Sequence, residues 1–259
     1  MLTSPFSTLG SGAVGSIHFV IEAAAFSIGG LLYWRSRNRS ATRMPGISRL
    51  GVLAGAALGA ALGSRLLYVA QYWAALHQQP WQVWLGGKTL VGALLGGLFG
   101  VETAKIALGW RESTGDAFVV PLLVAIGLGR IGCQLSGVWD QTYGTETSLP
   151  WAWDYGDGIG RHPTALYEIA LLGGLAWFVR LPMFGAVCGD RFKSFMVGYL
   201  LLRLLLEFLK PPFGPAAIGT LRPDWWGPLT AIQWACLLGL AYYFRDSRRW
   251  LSARSPLHA

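Results

Sequence analysis

The sequence predicts an all-α fold: a polytopic helical membrane protein with about seven transmembrane helices and a small outer (periplasmic) cap loop. Three observations predict it. Hydrophobic residues make up 53% of the 259 residues and charged residues only 13%, about half the share usual in soluble proteins. The 35 glycines and 13 tryptophans suit helices that pack closely in lipid and rings that sit among headgroups. The Lys and Arg residues flank apolar runs instead of forming one basic stripe, so the net charge of +8 reports topology and no nucleic-acid partner is expected.

Seven segments have the length and polarity to cross a hydrocarbon core of roughly 30 Å, which takes about 20 helical residues. They are Ile17–Trp34, Leu50–Ala70, Leu90–Gly109, Asp116–Gly137, Thr164–Val179, Phe195–Leu209 and Pro228–Phe244. The fifth and sixth are short and need tilting or interfacial residues to span. Residues 1–259 read as a single transmembrane domain, with 138–163 as its periplasmic loop. That loop carries Trp139, Tyr143, Trp151, Trp153 and Tyr155 among four acidic residues. Such rings have an apolar body and a polar tip, so the loop is expected to rest on the outer headgroups.

Orientation follows from the positive-inside rule. Arg35, Arg37, Arg39, Arg43, Arg49, Arg111, Arg180, Arg191, Lys193, Arg245, Arg248, Arg249 and Arg254 fall in alternate connections and the C-terminal tail. The opposite connections hold Lys88, Arg161, Lys210 and Arg222. This places the N-terminus outside and the C-terminus in the cytoplasm, across a bacterial inner membrane. No positive n-region precedes the first apolar run, so no cleavable signal is expected. Cys133, Cys188 and Cys236 are odd in number and scattered, giving neither a disulfide framework nor a zinc pattern; no metal or cofactor is expected.

Glycine recurs every fourth residue at Gly51, Gly55, Gly59 and Gly63, and again at Gly92, Gly96 and Gly100. That spacing lines one helical face and lets two backbones approach, so these glycines are assigned to packing.

Arg65, Lys105, Arg130 and Arg203 fall inside the apolar segments. Each such charge costs roughly 2.5–3.5 kcal/mol at the centre of a membrane helix unless it finds a partner or water. Carboxylates at Glu22, Glu102, Glu168 and Glu207 could neutralise them. Glu102 and Lys105 are three apart and Arg203 and Glu207 four apart, so each pair shares a helical face, with Lys210 continuing the second. Arg130 lies in Gly129-Arg130-Ile131-Gly132, whose small residues leave the guanidinium room to reach a ligand. Guanidinium is the permanently charged fork that suits phosphate oxygens, so Arg130 and Arg203 are equally consistent with an anionic headgroup site and with pure pairing.

His18 lies four residues before Glu22 on one face, and His162 opens the fifth segment ahead of Tyr167 and Glu168. Either imidazole could act as a general base or simply make an interfacial hydrogen bond. Cys133, beside Arg130, reads either as a small buried apolar residue or as a nucleophile. A transporter reading is weakened by the lack of an internal repeat.

Several motifs, taken in order, resemble the prolipoprotein diacylglyceryl transferases. They are Gly63-Ser64-Arg65 with Tyr68, Gly86-Gly87, Asp116 with Pro121, Gly129-Arg130-Ile131-Gly132 with Gly137, Tyr143-Gly144, Leu149-Pro150-Trp151, Arg161-His162-Pro163-Thr164-Ala165-Leu166-Tyr167-Glu168, the set Tyr199, Arg203, Glu207 and Lys210, and Gln233. The resemblance implies a seven-helix enzyme that takes the diacylglyceryl group from phosphatidylglycerol, or a similar anionic phospholipid, and passes it to the lipobox cysteine of a preprolipoprotein. On that resemblance His162, Arg130, Arg203 and Glu207 are the catalytic candidates, with Glu207 orienting Arg203. Arg65, Arg161, Tyr167, His18 and Gly144 are the substrate-binding candidates.

The sequence departs from the family in one cluster of positions. Val91 stands where the family has a histidine, and Cys133, Ser136 and Val138 stand for two asparagines and a glutamate. Thr145 replaces an arginine, and Val20 aligns with a tyrosine. Valine can neither take a proton nor hold a hydroxyl. The expectations are therefore a related transferase using this or another acceptor, or a non-catalytic lipid-binding paralogue lacking the family histidine.

Overall fold

The computed structural model describes residues 2–3, 11–37, 44–140, 142–185, 187–211 and 224–252. Arg39, Arg43, Arg222 and Arg254, used above to orient the chain, lie outside the described residues, as does the side chain of Trp139. The helices are α1 (Ser11–Arg37), α2 (Gly46–Gln71), the short α3 (Trp73–Leu76) and α4 (Trp81–Gly86), α5 (Leu90–Ala107), α6 (Val119–Leu135), α7 (Thr164–Phe178), α8 (Asp190–Glu207), α9 (Ala231–Tyr242) and α10 (Phe244–Ser252). Each of the seven apolar segments thus carries a helix.

Four helical stretches among the described residues are long and apolar enough to cross a membrane: those of α1, α2 and α5, and Gly115–Leu135, which joins a 3-10 turn to α6. The α7 and α9 helices are apolar but shorter, at 15 and 12 residues. The α8 helix has 18 residues but carries Asp190, Arg191, Lys193, Arg203 and Glu207. Large apolar side chains face outward on these helices, among them Phe26, Leu62, Phe99 and Leu238, each with more than 60% of its surface exposed. In water such a surface would aggregate, whereas in lipid it is the solvated face.

Helices α1 and α8 begin earlier than hydropathy suggests, at Ser11 and Asp190 instead of Ile17 and Phe195. Hydropathy marks the stretch suited to lipid, while the hydrogen-bonded helix continues into polar residues. The segment after α9 is a further helix, α10, and not a simple tail. Arg249 pairs with Asp190 at 2.5 and 2.6 Å, and Trp250 Nε1 donates to the same carboxylate at 3.0 Å.

The helices alternate in direction, as contacts at one end of the bundle establish. The start of α1 meets the end of α6 where His18 Nδ1 lies 3.0 Å from Ser136 Oγ. Gln71, closing α2, accepts from the Ile232 amide at the start of α9. Glu22 pairs with Lys88, just ahead of α5, and not with His18. At the opposite end Asp116 accepts from the amides of Gly189 (2.7 Å) and Phe192 (3.0 Å), capping α8 with a carboxylate where the helix dipole favours one. A core of Val91, Leu123, Leu172, Phe195, Tyr199 and Ile232 joins α5, α6, α7, α8 and α9.

Small strands lie outside the helices, a feature the all-α expectation lacked. Strand β1 (Leu2–Thr3) runs parallel to β2 (Trp153–Asp154), which pairs antiparallel with β3 (Gly160–Arg161). A second ribbon pairs β4 (Trp225–Trp226) with β5 (Leu229–Thr230). The β2–β3 turn is held by Asp154 Oδ1, which accepts from the amides of Gly156, Asp157 and Gly158, with φ at +113° and +77° for the two glycines. Only glycine adopts such angles without strain. The cap is pinned to the bundle where the Thr145 amide donates to Leu209 O at 2.8 Å.

The glycine repeats of α2 and α5 face each other. Gly55, Gly59 and Gly63 lie directly against the backbone carbonyls of Gly100, Gly96 and Gly92, with no space for a Cβ. Ser64 and Thr89 stitch the same seam, the Thr89 amide donating to Ser64 Oγ at 3.0 Å and Thr89 Oγ1 to Ser64 O at 3.1 Å. Gly59→Val is expected to lower stability by at least the ~1–3 kcal/mol typical of overpacking. Gly15→Ala, with open space around it, should be neutral. Thermal unfolding of the detergent-purified variants measures both.

Candidate functional site

Helices α6, α7 and α8 bring their ionisable residues together near the cap end of the bundle. Arg130 Nε lies 2.9 Å from Glu168 Oε2, an ion pair off the line of a good hydrogen bond. The other carboxylate oxygen of Glu168 accepts from Tyr199 OH at 2.7 Å. One turn along α8, Arg203 pairs with Glu207 at 2.5 Å. Just past the end of α8, Lys210 donates to Thr142 O and to Thr164 Oγ1 (3.0 Å). Glu168 is within electrostatic reach of Arg130, Arg203 and Lys210 together. Among the described residues, three partly buried cations therefore surround two carboxylates, leaving one positive charge in excess while Lys210 is protonated.

Periodicity explains this convergence. Tyr199, Arg203 and Glu207 stand four apart on one face of α8, and Glu168 lies one turn into α7. Pairing alone would have satisfied the membrane's demand, as it does for Lys105, which reaches Glu102 at 3.0 and 3.1 Å. The excess charge at the Arg130 cluster goes beyond that. Nearby, Tyr155 OH donates to Gln134 Oε1 at 3.0 Å, while buried Gln134 Nε2 has no partner among the described residues. Burial pushes the Tyr155 phenol up, so it stays a neutral donor. Burial, with Arg203 and Arg130 close by, pushes the Lys210 ammonium down to about 7.

The cap holds the remaining candidates. His162 Nδ1 lies 3.1 Å from Tyr167 OH, which accepts from Trp151 Nε1 at 2.8 Å. The Gly144 amide donates to His162 O, and a Cβ on Gly144 would strike His162 and Leu209 O at 2.7–2.8 Å. Gly144 thus lets the cap close onto the helix ends. Arg161 is committed elsewhere, donating to both Asp157 oxygens at 2.7 Å and lying 4.6 Å over the Tyr143 ring. Arg65 is exposed on α2 with no ion pair among the described residues. Neither arginine joins the Arg130 cluster. His18 stands against Ser136 and Asp140 at the end of α6.

A model of the prolipoprotein diacylglyceryl transferase family matches residues 16–244. The chain belongs to this family. Curated relatives named phosphatidylglycerol–prolipoprotein diacylglyceryl transferase agree. One from Methylibium petroleiphilum is 34% identical over 187 residues, covering 68% of this chain and 69% of its own. One from Rhodospirillum centenum is 32% identical over 233 residues, covering 80% and 82%. One from Nitratidesulfovibrio vulgaris is 36% identical over 193 residues, covering 71% and 68%. This is a multi-pass membrane protein of a bacterial transferase family. Val91, which the resemblance aligns with a family histidine, is 1% exposed and belongs to the apolar core.

In the sequence, Glu168 stands as a possible arginine partner and closes a family-like motif, while nothing there points to Gln134 or Asp140. Glu168 was the findable one, since buried arginines need carboxylates; the other two become visible only through contacts between distant segments.

Arg161 holds the Asp157 carboxyl below its ordinary 3.8. Because the folded value is depressed, the contact contributes fully at neutral pH and is lost as pH falls through the folded value. Amide protection around Gly156–Gly158, corrected for intrinsic exchange, should stay level from pH 7 to pH 5 and drop in stronger acid. Asp157→Asn should lower it already at pH 7.

Proposed function

We propose that this protein transfers the diacylglyceryl group of phosphatidylglycerol, or a similar anionic phospholipid, to the lipobox cysteine of a preprolipoprotein, at the outer face of the inner membrane with its N-terminus outside. The observation that carries the reading is the surplus of positive charge around Arg130, Arg203 and Lys210. A phosphodiester brings one negative charge, which balances that surplus. The names of the relatives supply the substrate class.

The chemistry is displacement at a glyceryl carbon. The thiol sulfur gives up its proton and forms a C–S bond, while the C–O bond to phosphate breaks and its electron pair leaves with glycerol phosphate. Arg130 and Arg203 hold the phosphate as charge builds on its bridging oxygen, the step at which fixed donors help most. Glu207 keeps the Arg203 guanidinium in plane, and Glu168, with Tyr199 behind it, does the same for Arg130. His162 is the acceptor for the thiol proton, its ring oriented through Tyr167. Lys210, just past the end of α8, adds its charge to the site while protonated.

A mass-spectrometric transfer assay with phosphatidylglycerol and a lipobox peptide tests the reading. It expects a diacylglyceryl-modified peptide and one glycerol phosphate per transfer; neither product, beside an active family member as control, would overturn it. Arg130→Ala should reduce turnover about 10²–10³-fold while the protein elutes and melts as a folded species. Full activity in that variant would remove Arg130 from the site. Because Lys210 loses its proton near pH 7, phosphatidylglycerol binding should weaken as pH rises through that value. Lys210→Arg, whose guanidinium stays charged, should hold affinity at higher pH.

A further inference from the structure

The ends of α1 and α6 bring together three residues with metal-binding atoms. His18, Cys133 and Asp140 each present a ligand atom, and the three atoms lie within 4.8 Å of one another. All three are of intermediate burial. His18 Nδ1 lies 3.0 Å from Ser136 Oγ and 3.9 Å from Asp140 Oδ1, so binding an ion through Nδ1 exchanges the serine contact for the metal. A tetrahedral zinc-type ion with bonds of about 2.0–2.3 Å sets its ligands roughly 3.3–3.8 Å apart, so modest side-chain rotation closes the set.

The geometry points to a zinc-type metal site formed by His18, Cys133 and Asp140, its fourth position open to the acceptor thiol. The donor types select the metal. Thiolate and imidazole favour zinc and its neighbours over calcium or magnesium. Charge favours it too, since one thiolate and one carboxylate neutralise a dication and add no net charge beside Arg130, whose Nη1 is 3.7 Å from Cys133 Sγ. Three protein ligands leave a coordination position free, the arrangement of zinc sites that do chemistry.

This role rests on the transferase reading above. A thiol that coordinates zinc is deprotonated outright, its proton passing to solvent. The metal-held thiolate then forms the C–S bond as the C–O bond to phosphate breaks. Such a site would supply thiolate in a chain where Val91 fills the family's histidine position. It also gives a use to Cys133 and to Asp140, which the phosphate cluster leaves aside.

Cobalt is the probe, because tetrahedral thiolate–Co²⁺ sites absorb in the near ultraviolet and the visible. Full-length protein carrying Cys188→Ser, which removes an exposed thiol, is stripped with chelator and titrated with CoCl₂ in detergent. Saturable binding of one ion per chain with a sulfur-to-cobalt charge-transfer band is expected. Cys133→Ser should abolish the band, and Asp140→Asn or His18→Ala should weaken binding by more than about tenfold. Lipobox peptide should intensify the band, whereas a peptide with serine for cysteine should not. Absence of saturable binding, or a band that survives Cys133→Ser, overturns the site. No response to the peptide thiol overturns the open-position role. If any variant fails to elute as a folded species, the other two decide the ligand set. Cobalt binding without any transferred product would leave the metal site standing and sink the transferase reading. Full transfer by metal-stripped protein would leave the transferase reading standing and sink the metal's part in it.

Discussion

A guanidinium placed in hydrocarbon must be met by a carboxylate or by water, and three helices of this bundle are organised around that requirement. Arg130 on α6 meets Glu168 on α7, and Glu168 is held by Tyr199 on α8. The contact fixes the relative height of these helices, because a shift of one turn along any of them would strand a charge. The cost of stranding one, several kcal/mol in a low dielectric, exceeds what any single apolar contact in the surrounding core could return. Register is therefore set by polar atoms, with Leu172, Phe195 and Leu200 filling space between them.

The same cluster separates what a bundle needs from what a site needs. Glu102 and Lys105 neutralise each other on one helix and go no further. Around Arg130 the charges do not balance among the described residues, and the buried Gln134 amide nitrogen has no partner there either. These unbalanced polar groups are what supports the proposed site.

Much of this was legible in the chain. Apolar length located a helix in each of the seven segments, because lipid imposes one simple rule on every residue that faces it, while the short α3 and α4 escaped it. Four-residue spacing identified the Arg203–Glu207 pair and the glycine faces, since both depend only on helical geometry. The family motifs carried the reaction class. Less legible were contacts between separate segments: the resemblance makes Arg161 a substrate-binding candidate, whereas in the structure Asp157 and Tyr143 claim it, and no spacing links His18 to Cys133 and Asp140. Helix ends also escaped, as α10 shows; its docking on Asp190 depends on a partner nearly sixty residues away.

The backbone contact of α2 with α5 has a consequence for motion. Two helices that touch through glycine carbonyls have no side chains between them to rotate, so they cannot slide or splay by exchanging rotamers. Sewn further by Ser64 and Thr89, they behave as one stiff panel. Any movement that opens the wall of the bundle therefore has to fall along some other seam.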